Sequence, residues 1–216
     1  MTSIESMPTY RPRVKDTLAA AESYTRRKQR KHDAEMSLIR RALGFVDGAE
    51  TFLDAPCGAG RATILLARRG YLTTGVDLGE GAVTVARRQV MQAGVAANIE
   101  KADIGTLPYD DNAFDATLCF RLYHHFPDNR IRGRVIRELC RVSRKYVVIS
   151  YFSPYSATSL RRKLRAILFN KPSCQVATSL ISIRRLFDEQ GYHLVRNIPQ
   201  RRFVKTLHVA VFRAGR

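Results

Sequence analysis

Between Phe52 and Thr63 the chain reads "FLDAPCGAGRAT": a short apolar run, one carboxylate and two closely spaced glycines, directly before a helix-forming stretch. Thr51, Phe52 and Leu53 suit a buried strand, and the loop Asp54, Ala55, Pro56, Cys57, Gly58, Ala59 and Gly60 must then turn sharply into a helix. Gly58 and Gly60 lack the Cβ atoms that would hold a ligand off the backbone, and they tolerate positive φ at the bend. A second strand, "TTGVD", ends in Asp77. A carboxylate about 20 residues beyond a glycine loop is placed to accept hydrogen bonds from ribose hydroxyls. The dinucleotide fingerprint Gly-x-Gly-x-x-Gly fails, because Thr63 stands where its third glycine would be.

The alternation continues down the chain. Strands are predicted at Thr51–Asp54, Thr73–Leu78, Asn98–Ala102, Phe114–Phe120 and Tyr146–Tyr151, and helices at Arg61–Arg69, Glu80–Ala93 and Asn129–Val142, with Gly70 and Gly94 as C-terminal stops. Such a pattern specifies a parallel sheet with helices on both faces, whose ligands bind beyond the carboxyl ends of the strands. Asp54, Asp77, Asp103 and Phe120 would share that edge. A basic helical extension is predicted from about Asp16 to Leu43, and helical stretches at Ser156–Phe169 and Ser179–Gln190. The last run, "YHLVRNIPQRRFVKTLHVAVF", reads as two strands joined by a turn near Pro199.

From Phe52 to Phe126 the chain resembles the class I S-adenosylmethionine-dependent methyltransferases, in their small-molecule and lipid branch (methyltransferase type 11-like). The glycine loop looks like that family's first motif, and "ADIGTLPYDDNAFDATLCF" is similar to the segment that holds the adenine. The resemblance implies an α/β fold: a doubly wound, mostly parallel seven-stranded sheet with a C-terminal antiparallel hairpin. It implies one domain over 1–216, made of an N-terminal extension (1–44), a cofactor-binding core (45–152), lid or substrate helices (153–191) and the hairpin (192–216). S-adenosylmethionine is the implied cofactor. Asp54, Ala55, Pro56, Cys57, Gly58 and Gly60 would cradle its methionine part, Asp77 with Leu78 the ribose, and Asp103 with Ile104 the adenine, with Leu107 and Pro108 beneath the base and Phe120 alongside. N-terminal helices close over the cofactor in relatives, which makes Tyr24 and Arg27 candidates for that contact without fixing their register.

Methyl transfer asks little covalent chemistry of a protein, because the sulfonium is already activated; position and desolvation supply most of the rate. Where the acceptor is a hydroxyl, a general base contributes about 10²–10⁴-fold. After the fourth strand "CFRLYHHFPD" offers His124 and His125 as candidate bases, with Tyr123 and Arg121 as candidate acceptor contacts, and this favours O-methylation. Similar His-His pairs in relatives often have a structural role. The patterns by which amino-group and cytosine C5 methyltransferases hold or attack a nucleobase are absent.

The formal net charge is +18, yet Val46–Phe120 carries 6 basic and 10 acidic residues, whereas Arg121–Lys171 carries 13 basic and 2 acidic. The acceptor-facing half is therefore expected to attract an anionic partner, unless the charges merely solvate helix faces. A small-molecule or lipid-linked anionic acceptor comes first; RNA as acceptor, and a non-catalytic nucleic-acid or membrane binder, stay open. In "SATSLRRKLRAILF", Leu160, Leu164, Ile167 and Leu168 recur at helical spacing opposite Arg161, Arg162, Lys163 and Arg165, a pattern that suits core packing, an acceptor lid or peripheral contact with an anionic membrane. Cys57, Cys119, Cys140 and Cys174 have no paired spacing, so neither a metal site nor a disulfide framework is expected. With no apolar run of about 18 residues and no signal-peptide core, a cytoplasmic location is expected, with the membrane's inner face open to it.

Overall fold

Alternating apolar residues on short strands set the architecture. In a computed structural model, which describes residues 29–126, 128–161, 176–201, 204 and 206–215 with side chains from residue 32 onward, the strands are β1 (Thr51–Asp54), β2 (Leu72–Asp77), β3 (Asn98–Lys101), β4 (Phe114–Cys119), β5 (Ser143–Phe152), β6 (Tyr192–Pro199) and β7 (Leu207–Ala214). They form one seven-stranded sheet in the order β3-β2-β1-β4-β5-β7-β6. The first five strands run parallel, with Leu53 opposite Thr74 on one side and Thr117 on the other, whereas β7 is antiparallel to both β5 and β6. This is the sheet expected from the sequence. The chain order reverses between β1 and β4, and the crevice at that reversal is where such sheets take their ligands.

The helices are α1 (Gln29–Leu43), α2 (Arg61–Ala67), α3 (Glu80–Gln92), α4 (Asn129–Val142) and α5 (Leu180–Asp188). Ile39 of α1 and Leu66 of α2 pack with Phe52, Leu118, Val148 and Val211 on one face of the sheet. Ile136 and Leu139 of α4 and Ile183 and Phe187 of α5 pack with Leu53, Val147, Ile149 and Phe212 on the other. Each such buried side chain contributes roughly 1.5–3 kcal/mol relative to exposure. Asp128 caps α4 by accepting from the Arg130 amide at 2.7 Å, and the Ser179 hydroxyl caps α5 by accepting from the Ser182 amide at 3.1 Å.

At the amino-terminal end of the sheet the buried Asp115 carboxylate accepts from the amides of Glu50 (2.9 Å) and Thr51 (3.2 Å) and pairs with Arg144 (2.7 Å) and Lys145 (2.9 Å). It ties β1, β4 and β5 together. Burial would raise its pKa, but the Glu50 amide, Arg144, Lys145 and the Thr51 amide outweigh that and hold it well below the usual carboxylate range.

Several boundaries differ from those expected. The helix after the glycine loop ends at Ala67, two residues early, and Gly70 follows with φ 88°. Ser143 begins β5 directly from α4, so that strand starts three residues earlier than the apolar run suggests. The hairpin turns between Pro199, which ends β6, and Leu207, which begins β7, near the position expected. Residues 157–161 are helical; Arg162, Lys163, Leu164, Arg165, Ile167, Leu168 and Cys174, like Tyr24, Arg27 and the start of the basic extension, lie outside the described residues. Among the described residues no helix is long and apolar enough to cross a membrane.

Candidate active site

Asp54, at the end of β1, is completely buried. Its Oδ2 accepts from the Thr63 hydroxyl at 2.7 Å, and its Oδ1 has no hydrogen-bond partner among the described residues. Burial pushes its pKa up to about 7, against the pull of the Thr63 hydroxyl and amide, and the nearby Asp77 charge pushes the same way. The residue that spoils the dinucleotide fingerprint is thus the one that holds the first acid. The loop that follows is stitched to the sheet: the Ala55 amide donates to the Leu118 carbonyl (2.9 Å) and the Cys57 amide to the Val76 carbonyl (2.7 Å). Gly58 and Gly60 have φ of 57° and 78°, and a Cβ on Gly60 would lie 3.3 Å from the Ala86 Cα, so α3 packs against the loop where a side chain would obstruct it.

Asp77 ends β2 and accepts from two backbone amides, Gly58 to Oδ2 and Gly79 to Oδ1, each at 3.0 Å. It therefore also fixes the glycine loop, a task that motif spacing does not foretell. Leu78 beside it is half-buried. Asp103 follows β3 and folds its own turn, with Oδ1 accepting from the Gly105 amide at 2.8 Å, while Ile104 and Leu107 are buried. That turn is clamped by α4: Arg134 donates to the Gly105 carbonyl (2.9 Å) and the Thr106 hydroxyl (2.7 Å), Glu138 accepts from the Leu107 amide (3.0 Å), and Arg141 donates to the Leu107 (3.0 Å) and Tyr109 (2.7 Å) carbonyls. The three aspartates thus stand in succession on one rim, at the ends of adjacent parallel strands.

On the other side of the crevice Phe120 is buried and Arg121 adopts φ 67°, a left-handed conformation that costs a non-glycine residue roughly 1–3 kcal/mol. Its amide donates to the Ser150 hydroxyl at 2.6 Å, and its guanidinium lies 3.6 Å from Glu35. Glu35 reaches in from α1, fully buried, and pairs also with Arg61 at 3.2 Å, whose guanidinium meets His32 at 3.2 Å. The sequence reading passed over Glu35. The signal was there: with Leu38, Ile39 and Ala42 it shares the buried stripe of α1, where an acid needs partners. Arg121, expected to meet the acceptor, is held by an internal carboxylate.

Tyr123–His125 form a single 3₁₀ turn. His124 is fully buried, its ring stacked on Phe152 with centroids 3.8 Å apart and 4.1 Å from that of His125, which is half-buried. Tyr123 is fully buried, its hydroxyl has no hydrogen-bond partner among the described residues, and burial pushes its pKa up to about 12. Arg132 lies over its ring at 5.6 Å. That guanidinium is itself buried; it donates to the Phe126 carbonyl (2.9 Å) and Asn129 (3.1 Å), and its Nη2 has no partner among the described residues. The carbonyl of His124 accepts from the Val176 amide (2.9 Å) and that of Phe152 from the Thr178 amide (2.8 Å), so residues 176–178 lie against this turn. Just beyond them is a cavity of about 720 Å³, lined among others by Tyr151, Ser153, Ser179, Asn197 and His208.

Residues 52–146 match the family model described as a methyltransferase domain. Over that segment, a little under half of its length, the chain is similar to S-adenosylmethionine-dependent methyltransferases. Methyltransferase relatives include the ubiquinone biosynthesis O-methyltransferase of Coxiella burnetii, 37% identical over 76 residues, which are 35% of this chain and 32% of that protein. The protein of the same name from Hahella chejuensis is 34% identical over 92 residues, 40% of this chain and 39% of that one. The matched region thus spans between about a third and two fifths of these relatives' length. Among solved structures, a magnesium protoporphyrin IX methyltransferase from Synechocystis PCC 6803 with bound SAH superposes with a TM-score of 0.70 at 20% identity, covering 87% of this chain and 83% of that one. A Pyrococcus horikoshii OT3 protein gives 0.71 at 16% identity over 95% and 98%. At these identities the methyltransferase structures speak for the fold.

Proposed function

We propose that this chain transfers the methyl group of S-adenosylmethionine to an oxygen atom of a small-molecule acceptor. The observation that carries the reading is the buried Asp54 carboxyl, one oxygen of which has no hydrogen-bond partner among the described residues, set between the loop bearing Gly58 and Gly60 and two further aspartates. A buried carboxyl oxygen left unsatisfied suits a ligand group that can donate to it, and an acid titrating near neutrality is readily ionised by a cation beside it. Asp54 and the loop to Gly60 would hold the methionine part, Asp77 with Leu78 the ribose, and Asp103 with Ile104 the adenine, beside Phe120. When bound, this cofactor supplies an activated methyl group.

The chain's own part is to place and desolvate the acceptor. Domain organisation follows from this: residues 45–152 bind the cofactor, and 153–191 with the hairpin form the acceptor side. The cavity near Tyr151 is where the acceptor would lie, reached from the Tyr123–His125 turn through residues 176–178. Of the two histidines, His125 is the one suited to take a proton from an acceptor hydroxyl, since His124 is sealed between His125 and Phe152. For an anionic acceptor Arg132 is better placed than Arg121 to supply charge. It is buried beside Tyr123 with no carboxylate paired to it among the described residues, whereas Arg121 is committed to Glu35. The name shared by the relatives points the same way, to an oxygen acceptor on a small molecule.

Incubation with methyl-labelled cofactor and a panel of hydroxylated aromatic acids tests the reading. Label is expected in the small-molecule fraction, reduced at least 100-fold by His125→Ala and left within a few-fold by His124→Phe, which preserves the stack. Label only in RNA, or none with any acceptor, defeats it.

A further inference from the structure

On the face of the sheet that carries α1, α2 and α3, those three helices enclose a second cavity of about 410 Å³, within the range of small-ligand sites. Its floor is apolar, made by Met36 of α1 and Ile64 and Leu65 of α2. Arg40, Arg68 and Arg69 stand around it, with the Gln89 and Gln92 side chains on the α3 side and His32 and Arg61 at the inner end; among the described residues no carboxylate lines it. Arg61 is already engaged by Glu35 and His32. Arg40, Arg68 and Arg69 have no ion-pair partner among the described residues.

Three guanidiniums with no ion-pair partner among the described residues border one concavity, where they repel each other. Gathered over an apolar floor they match an anion carrying more than one charge and at least three acceptor oxygens, which each planar fork can meet bidentately. A carboxylate has too few oxygens to satisfy three forks. We propose that this groove binds a phosphate ester of small-molecule size, its phosphate held by Arg40, Arg68 and Arg69 and its organic part resting on Met36, Ile64 and Leu65. The site is separate from the crevice at the strand ends and stands whether or not the methyl-transfer reading does.

Titration calorimetry with phenyl phosphate, inorganic phosphate and a 5′-phosphorylated RNA dodecamer tests it on the full chain. Phenyl phosphate is expected to bind at millimolar concentration or tighter, and more tightly than inorganic phosphate. The triple variant Arg40→Gln, Arg68→Gln, Arg69→Gln should weaken it at least tenfold, while the melting temperature and S-adenosylmethionine affinity stay as in the parent. Because the three side chains are exposed, the variant is expected to fold. No binding at 10 mM, equal affinity in the variant, or binding of the RNA alone would each overturn the proposal.

Discussion

Asp54 is the residue whose chemistry changes most on folding. Its raised pKa belongs to the folded state, so its contribution to stability is complete below about pH 4 and lost as pH rises through about 7. A cationic ligand beside it reverses that preference and expels the proton. Binding of S-adenosylmethionine at pH 7 is accordingly expected to release about half a proton, read from calorimetry in buffers of different ionisation enthalpy. Asp54→Asn should release none. Asp77→Ala should raise the cofactor dissociation constant at least tenfold, about 1.4 kcal/mol, since it removes both the proposed ribose acceptor and the anchor of the Gly58 amide. Fluorescence titration checks this, and an unchanged constant would remove Asp77 from the site. At this scale the sequence was legible wherever a motif fixes backbone and charge together, as in Asp54–Gly60. It was not legible where a role depends on a distant partner. The pairing of Arg121 with Glu35 and the burial of His124 against Phe152 both join residues far apart in the chain. Gly75 belongs with them: a Cβ there would come within 2.9 Å of Cys57, Ile99 and Thr63, a crowding that no strand pattern reveals.

Among the elements, α4 changes how the charge is read. Its stretch looked like a surface for an anionic partner, yet Arg134 and Arg141 spend their donors on the 105–109 turn, and Arg144 and Lys145 at the start of β5 neutralise Asp115. Net charge along a segment does not report how many of its cations face carbonyls and carboxylates of the same chain. The helix boundaries, by contrast, were nearly all foreseen within two residues, because apolar spacing and glycine stops are local signals. Asp115 carries a test. Its depressed pKa gives stability that is present above about pH 4 and lost as pH falls below it. Asp115→Asn is expected to lower the urea midpoint at pH 7, by about 2–4 kcal/mol in unfolding free energy, and to approach the parent at pH 2.5. A deficit independent of pH would show that packing, not the carboxylate charge, holds the strand ends.

For the whole molecule, the seven-stranded order and its antiparallel closure follow from alternation, and the switch between β1 and β4 puts the crevice where the acids converge. Ligand binding there should stabilise the entire fold. S-adenosylmethionine at 100 times its dissociation constant adds about 2.7 kcal/mol, which in a domain of this size raises the melting temperature by about 5–10 °C in calorimetry. The two margins of the sheet have a further effect. β3 is four residues long and bears Glu100 and Lys101, while β6 is broken by a bulge between Leu194 and Arg196 and closes on Pro199. Short, charged, kinked borders are poor templates for an incoming strand. The protein is thereby protected from edge-to-edge aggregation, even at the crowded concentrations where a flat apolar margin would recruit its neighbours.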